Sequence, residues 1–166
     1  MNVIFMGTPD FAVPVLESII NSDKHKVVAV VTQPDRPVGR KAVVTPPPVK
    51  VAAAAHGLPI FQFEKIRLGG EETLKSLNAD IMVTCAYGQI LSQEIIDICK
   101  YGIINVHASL LPKYRGAAPI QYAVINGESK TGVTFMKTAA GLDTGDIIAE
   151  YEIAIGENET AGELAE

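Results

Sequence analysis

Ile103-Ile104-Asn105-Val106-His107-Ala108-Ser109-Leu110-Leu111-Pro112 opens on an apolar, β-branched run that carries two polar side chains at an interval of two. On a strand, residues two apart face the same side, so Asn105 and His107 share one face. A strand buried in a parallel sheet reads as near-continuous Val, Ile and Leu. Residues 103–106 fit that pattern except at Asn105. The polar pair falls near the carboxyl end of the strand, where α/β sheets place their ligands. Such a pair either satisfies itself inside the core or faces a bound molecule.

Outward from this stretch, short apolar runs alternate with helix-like segments. Residues 3–6, 27–31, 60–63, 81–85 and 103–106 read as strands, and 11–20, 49–56, 71–77 and 93–100 as helices. Gly57 and Gly102 stand where a left-handed residue closes a helix, and Ser92 stands where the next one needs a cap. Pro14 lacks an amide hydrogen, so the first helix starts near it or bends there. The alternation implies βαβ units and a largely parallel sheet covered by helices. After Gly127 the pattern changes. Residues 131–137 and 146–155 alternate like strands, the second with Ile147, Ala149, Tyr151, Ile153 and Ile155 on one side and Glu150 and Glu152 on the other. Two strands with no helix between them predict an antiparallel hairpin added to the sheet.

The 166 residues are 48% hydrophobic and 20% charged, the composition of one ordinary globular domain. A net charge of −5 argues against generic nucleic-acid binding, so contact with a polyanion needs a local patch. Residues 33–50 provide one. They hold five of the ten prolines and four cations, Arg36, Arg40, Lys41 and Lys50, against the single acid Asp35, and they resist assignment to helix or strand. Loops this long are usually functional or disordered; the concentrated positive charge favours an anionic partner. Cys85 and Cys99 sit in apolar runs and read as small buried hydrophobes. His25 and His56 read as surface or helix-end residues. Met1 leads straight into a strand, with no room for a leader, and no apolar run approaches the ~18 residues of a membrane span. The expectation is a soluble, cytoplasmic protein without a membrane. Thr160-Ala161-Gly162-Glu163 has capping-box spacing three residues before the end, as expected of a chain cut short before a further domain.

Gly7-Thr8-Pro9-Asp10 could aim backbone amides at a ligand, but it lacks the glycines of a dinucleotide fingerprint and the Gly-Lys of a phosphate loop. The loop after His107 is a plausible site wall, and Pro119 suits the first turn of a helix through Asn126 closed by Gly127. Gly141-Leu142-Asp143-Thr144-Gly145-Asp146 is a glycine-flanked acidic turn. Asp146 reads as ordinary turn chemistry. Asp143 is a different case, because a carboxylate set against His107 completes an Asn-His-Asp group.

Asn105-Val106-His107, Ser109-Leu110-Leu111-Pro112 with Arg115-Gly116-Ala117-Ala118-Pro119, and Leu142-Asp143-Thr144-Gly145-Asp146 together resemble the folate-dependent formyltransferases. The likeness extends to Phe5-Met6-Gly7-Thr8-Pro9-Asp10-Phe11 and to Thr32-Gln33-Pro34-Asp35-Arg36-Pro37-Val38-Gly39-Arg40, and within the family it is strongest to the branch that formylates methionyl initiator tRNA. The resemblance implies a doubly wound, Rossmann-like catalytic domain over 1–166, followed in that branch by a smaller tRNA-holding β-barrel that is absent here. It implies 10-formyltetrahydrofolate as co-substrate, no metal, and Asn105, His107 and Asp143 as the catalytic set. In that reading the folate lies along Tyr87, Gly88, Gln89, Ile90 and Leu91 and along Ser109, Leu110, Leu111 and Pro112. Backbone groups of Ala139, Ala140, Gly141 and Leu142 flank the pterin. Arg36, Arg40, Lys41 and Lys50 contact the tRNA, and the protein acts as a monomer. The competing expectations are a small acceptor (a nucleotide amino sugar or glycinamide ribonucleotide) and a folate-binding module without catalysis.

Overall fold

In chain order, residues 1–102 form β1 (Asn2–Gly7), α1 (Val13–Ile20), β2 (Lys26–Thr32), β3 (Arg36–Val38), β4 (Val43–Thr45), α2 (Pro48–Ala55), β5 (Ile60–Gln62), α3 (Gly70–Ser76), β6 (Ile81–Cys85) and α4 (Gln93–Ile96). The remainder forms β7 (Ile103–His107), α5 (Pro119–Ile125), β8 (Lys130–Lys137), β9 (Ile147–Ala154) and α6 (Ala161–Leu164). The computed structural model describes residues 1–166, which divide into two units, Met1–Ile103 and Ile104–Glu166.

In the first unit β5, β2, β1 and β6 lie side by side and all pair in parallel. The expected βαβ alternation is what builds this sheet. Ile4 and Met6 of β1 are fully buried in a cluster with Ile66, Leu74 of α3 and Ile95 of α4, while Val3 and Phe5, facing the other way, are equally buried. Burial on both faces is why these strands read as unbroken apolar runs. Cys85 and Cys99 are buried free thiols, as their surroundings predicted, and burial pushes Cys85 up to about 12. Gly57 and Gly102 close their segments at φ 65° and 71°.

Three local expectations need correction. The helix expected over 93–100 ends at Ile96 and continues only as turns; Ile95, Ile96 and Ile98 are β-branched and Asp97 competes for backbone groups, so propensity does not carry it further. Ser92 does stand at its N-cap, but its hydroxyl makes no capping bond to the helix. Residues 33–50 are structured. Arg36, Pro37 and Val38 pair antiparallel with Thr45, Val44 and Val43, and α2 begins at Pro48. Val38, Val43 and Val44 are β-branched, and Gly39 and Ala42 take positive φ to turn the chain between them. His56 pairs with Glu17 at 2.9 Å, and His25 Nδ1 is buried without a hydrogen bond.

The base of this hairpin is tied down. Lys50 Nζ donates to both Asp35 oxygens at 2.8 and 2.7 Å and to Gln62 Oε1 at 2.9 Å. Gln62 Nε2 in turn donates to Asp35 Oδ1 and to the Gln33 carbonyl, both at 2.8 Å. The hydrogen bond from Lys50, then that from Gln62, holds the Asp35 carboxyl below the usual carboxylate range. Because the folded value is the lower one, this contribution is present above the unfolded aspartate value and is lost as pH falls through the folded value. Denaturant unfolding should therefore separate the native protein from Asp35→Asn at pH 7. The gap should close as the pH drops below about 3.9, the ordinary aspartate value. A gap that persists unchanged at pH 2 would rule out this anchor.

In the second unit β7, β8 and β9 lie side by side and pair antiparallel, which gives the expected hairpin near the C-terminus. The fold class is α/β and Rossmann-like, with antiparallel strands added. β9 runs 147–154, not 146–155, and a register shift sets Ile147 opposite Met136. Tyr151 meets Phe135 edge to face at 5.9 Å, yet Tyr151 and Ile153 stay exposed, so the apolar side expected on β9 is uncovered. The capping box forms: Thr160 N–H donates to Glu163 at 2.8 Å, and Glu163 N–H donates to the Thr160 hydroxyl at 3.3 Å. No helix is long and apolar enough to cross a membrane.

Candidate active site

β7 sets Asn105 opposite Met136 and His107 opposite Thr134 of β8, so the polar pair lies on one face, as its spacing required. Asp143 reaches the same place from the turn that joins β8 to β9. Asn105 Nδ2 donates to Asp143 Oδ1 at 3.3 Å, and His107 Nδ1 lies 3.6 Å from Asp143 Oδ2. The side chains of His107 and Asp143 are only 8% and 13% exposed, which limits the water that would screen them. Residues separated by 38 positions are thus brought to one point within one unit.

Two backbone groups complete the arrangement. His107 Nε2 lies 2.8 Å from the Tyr114 carbonyl, an acceptor only, so this bond places a ring proton on Nε2. Nδ1, which faces Asp143, is then the nitrogen that can take up and release a proton. Gly116 N–H donates to Asp143 Oδ2 at 2.7 Å. Tyr114, Ala118 and Asp143 have φ of 55°, 58° and 47°, values that non-glycine residues seldom adopt and that concentrate at functional sites. Gly145 makes the Asp143 turn possible, since a Cβ there would overlap the Lys137 carbonyl. Asp146 is exposed just before β9, and its backbone carbonyl accepts from Lys137 N–H at 2.8 Å.

Ser109, Leu110, Leu111 and Pro112 leave β7 as a wall fixed from below. The Thr134 hydroxyl donates to the Ser109 carbonyl at 2.6 Å and accepts from Leu111 N–H at 3.1 Å. Ser109 is fully buried, and its hydroxyl donates to the Lys113 carbonyl at 2.7 Å, so this side chain serves the loop itself. Ala139, Ala140, Gly141 and Leu142 are exposed. In the first unit, Tyr87 is buried with its phenol unpartnered, and burial pushes it up to about 12. Gln89 is held by Ile66 N–H and the Phe63 carbonyl at 2.8 and 2.7 Å, while Gly88 and Ile90 are exposed and Leu91 half-buried. Arg36 pairs with Glu64 at 2.6 Å and Lys50 with Asp35, whereas Arg40 and Lys41 are exposed at the hairpin turn.

Sequence reasoning missed the Tyr114 carbonyl, the Gly116 amide and Thr134. Backbone groups carry no side-chain signature, although Gly116 after two cations marked a turn. Thr134 reads as an ordinary strand residue. Its removal should be felt: Thr134→Val leaves a buried donor and a buried acceptor unmatched, for a loss of about 1–3 kcal/mol. Thr134→Ser should restore most of this. Equal denaturation midpoints for Val, Ser and native proteins would contradict the role.

The formyl transferase family profile matches residues 1–166. Methionyl-tRNA formyltransferase of Bacillus velezensis is 55% identical over 163 residues, covering 98% of this chain and 51% of that protein. The methionyl-tRNA formyltransferase of Bacillus subtilis is likewise 55% identical over 163 residues, with 98% and 51% coverage. The chain therefore spans about half the length of the curated relatives it matches. The crystal structure of phosphoribosylglycinamide formyltransferase from Bacillus halodurans superposes with a TM-score of 0.80 over 99% of this chain and 85% of that one. At 24% identity that likeness shows a shared fold.

Proposed function

Because the chain belongs to the formyl transferase family, we propose that it transfers the formyl group of 10-formyltetrahydrofolate to the α-amino group of methionyl initiator tRNA, in the cytoplasm. The observation that carries this reading is the convergence of Asn105, His107 and Asp143 in one largely buried group. The amine attacks the formyl carbon, a C–N bond forms to the methionine, and the bond from that carbon to the folate nitrogen breaks. Negative charge collects on the formyl oxygen, where the Asn105 amide can donate a hydrogen bond. His107 takes the amine proton at Nδ1, directly or through water, and returns a proton to the departing folate nitrogen. Asp143 faces the ring at that nitrogen and balances its charge once it is protonated, as a carboxylate does in a hydrolase triad, although no protein nucleophile is needed here. Ser109–Pro112, Ala139–Leu142 and Tyr87–Leu91 are assigned to the folate by resemblance to the family.

The acceptor is argued from the hairpin. Arg40 and Lys41 stand exposed at its turn beside exposed Val38, Val43 and Val44, on a protein of net charge −5. A cationic tip on an anchored arm suits a phosphate backbone, whereas a small acceptor gives no reason for it. Arg36 and Lys50 support the arm through their own ion pairs.

The test is the fate of a label in the formyl carbon of 10-formyltetrahydrofolate, mixed with methionyl-tRNA and the longest native form of the polypeptide. The label should appear on the methionine nitrogen. Folate binding with no transfer to any acceptor would leave a binding module in place of an enzyme.

A further inference from the structure

Glu128 lies beyond α5 and touches none of the three residues assigned to the chemistry, yet it holds the loop that orients one of them. Its Oε1 accepts from the Tyr114 phenol at 2.7 Å, and both its oxygens accept from Lys113 Nζ at 3.0 Å. Asn126 Nδ2 donates to the same phenol oxygen at 3.0 Å. The phenol is therefore fixed twice, once as donor and once as acceptor. The hydrogen bond from Tyr114, then that from Lys113, holds the Glu128 carboxyl below its ordinary range, so the anchor stays charged. Tyr114 itself sits at φ 55°, and in that conformation its carbonyl meets His107 Nε2 at 2.8 Å. Two residues on, Gly116 at φ 83° turns its N–H onto Asp143 Oδ2. One short loop thus grips the imidazole on one side and, on the other, the carboxylate that faces it.

We propose that Glu128 is a positioning residue for His107: by holding the Tyr114 phenol it keeps the Tyr114 carbonyl on Nε2, and so reserves Nδ1 for proton exchange. The kinetic part rests on the reading of His107 as the group that moves the proton. During transfer Nδ1 gains the amine's proton while Nε2 keeps its own, hydrogen-bonded to the Tyr114 carbonyl, and Nδ1 then gives up a proton to the leaving nitrogen, so the ring ends as it began. Without the anchor, the left-handed Tyr114 relaxes and the neutral ring exchanges between tautomers. In one of them Nδ1 already carries its proton and cannot accept another.

The experiment combines nitrogen NMR of the imidazoles with kinetics, on the longest native form of the polypeptide. There are three histidines, and the His107 signals are assigned by their loss in His107→Ala. At a pH where the ring is neutral, the native protein should show Nε2 protonated and Nδ1 bare, with averaging of the two in Glu128→Ala and Tyr114→Phe. Both variants should lose about 10- to 100-fold in kcat, the scale of a displaced catalytic group, while KM for 10-formyltetrahydrofolate holds. Glu128→Gln keeps an acceptor for the phenol and should stay within about fivefold of native. An unchanged tautomer in Tyr114→Phe overturns the proposal, as does native kcat in both Glu128→Ala and Tyr114→Phe. Should Glu128→Ala fail to fold, Tyr114→Phe, which preserves shape, decides. If the native protein transfers no formyl group at all, the functional reading fails while the NMR comparison still decides the positioning role.

Discussion

Asn105→Ala should lower the single-turnover rate of formyl transfer by about 10²–10³, the range measured when one oxyanion donor is removed, and His107→Ala by about 10²–10⁴, the range of a lost general acid–base. Folate affinity should change far less. Both side chains are assigned to charge and protons that appear only during the reaction, and such groups contribute to kcat and little to ground-state binding. Asp143→Ala should lower the rate as well, through a different route: Asp143 accepts from Asn105 and from Gly116 N–H and faces His107 Nδ1. Asp143→Asn should preserve the fold while presenting an amide to Nδ1. Because the three act on one step, their losses should not add; the triple variant should resemble the worst single one. Near-native rates in Asn105→Ala and His107→Ala at saturating folate would remove the mechanism.

The second large effect concerns the hairpin. Replacing Arg40 and Lys41 together with alanine should weaken formylation of methionyl-tRNA and leave folate binding and folding unchanged, since both side chains project from an exposed turn. Arginine can grip a phosphate through two parallel hydrogen bonds, so Arg40 should carry the larger share. Each cation that no longer neutralises a phosphate should make the dependence of tRNA affinity on salt shallower, by about 0.9 in log–log slope for a duplex stem. Replacing both cations should thus change the slope by about 2 and the affinity most strongly at low salt. Lys50→Ala provides the contrast. Its partners are Asp35 and Gln62, so it should loosen the base of the hairpin and lower stability. Unchanged tRNA affinity and salt slope in the double variant would make the hairpin a surface ornament and leave the choice of acceptor without its main physical support.

The parallel strands were legible in the sequence because both of their faces are buried and every position had to be apolar, as at Val3, Ile4, Phe5 and Met6. Asn105 and His107 stood out by violating that rule, and the spacing of two placed them on one face. The hairpin at Arg36–Thr45 was not legible. Its valines are exposed, so no alternation between core and solvent marks it as strand, and the five prolines of residues 33–50 suggest irregular chain. β9 misled in the opposite sense: Tyr151 and Ile153 line up as an apolar side that stays largely exposed. What the sequence could not show at the site is the backbone. The Tyr114 carbonyl and Gly116 amide depend on left-handed turns at Tyr114 and Gly116, and no side-chain type announces the first of them.

The acceptor is the claim on which the account turns, because a phosphoribosylglycinamide formyltransferase shares this fold. The direct measurement is a competition. Formyl-labelled 10-formyltetrahydrofolate is mixed with methionyl initiator tRNA, glycinamide ribonucleotide and a nucleotide amino sugar in one solution, with the longest native form of the polypeptide, and the labelled products are separated. Label should appear on methionyl-tRNA, with the highest kcat/KM of the three acceptors and a rate that falls as salt rises. Label on glycinamide ribonucleotide or the amino sugar, with methionyl-tRNA left unformylated, would contradict this expectation.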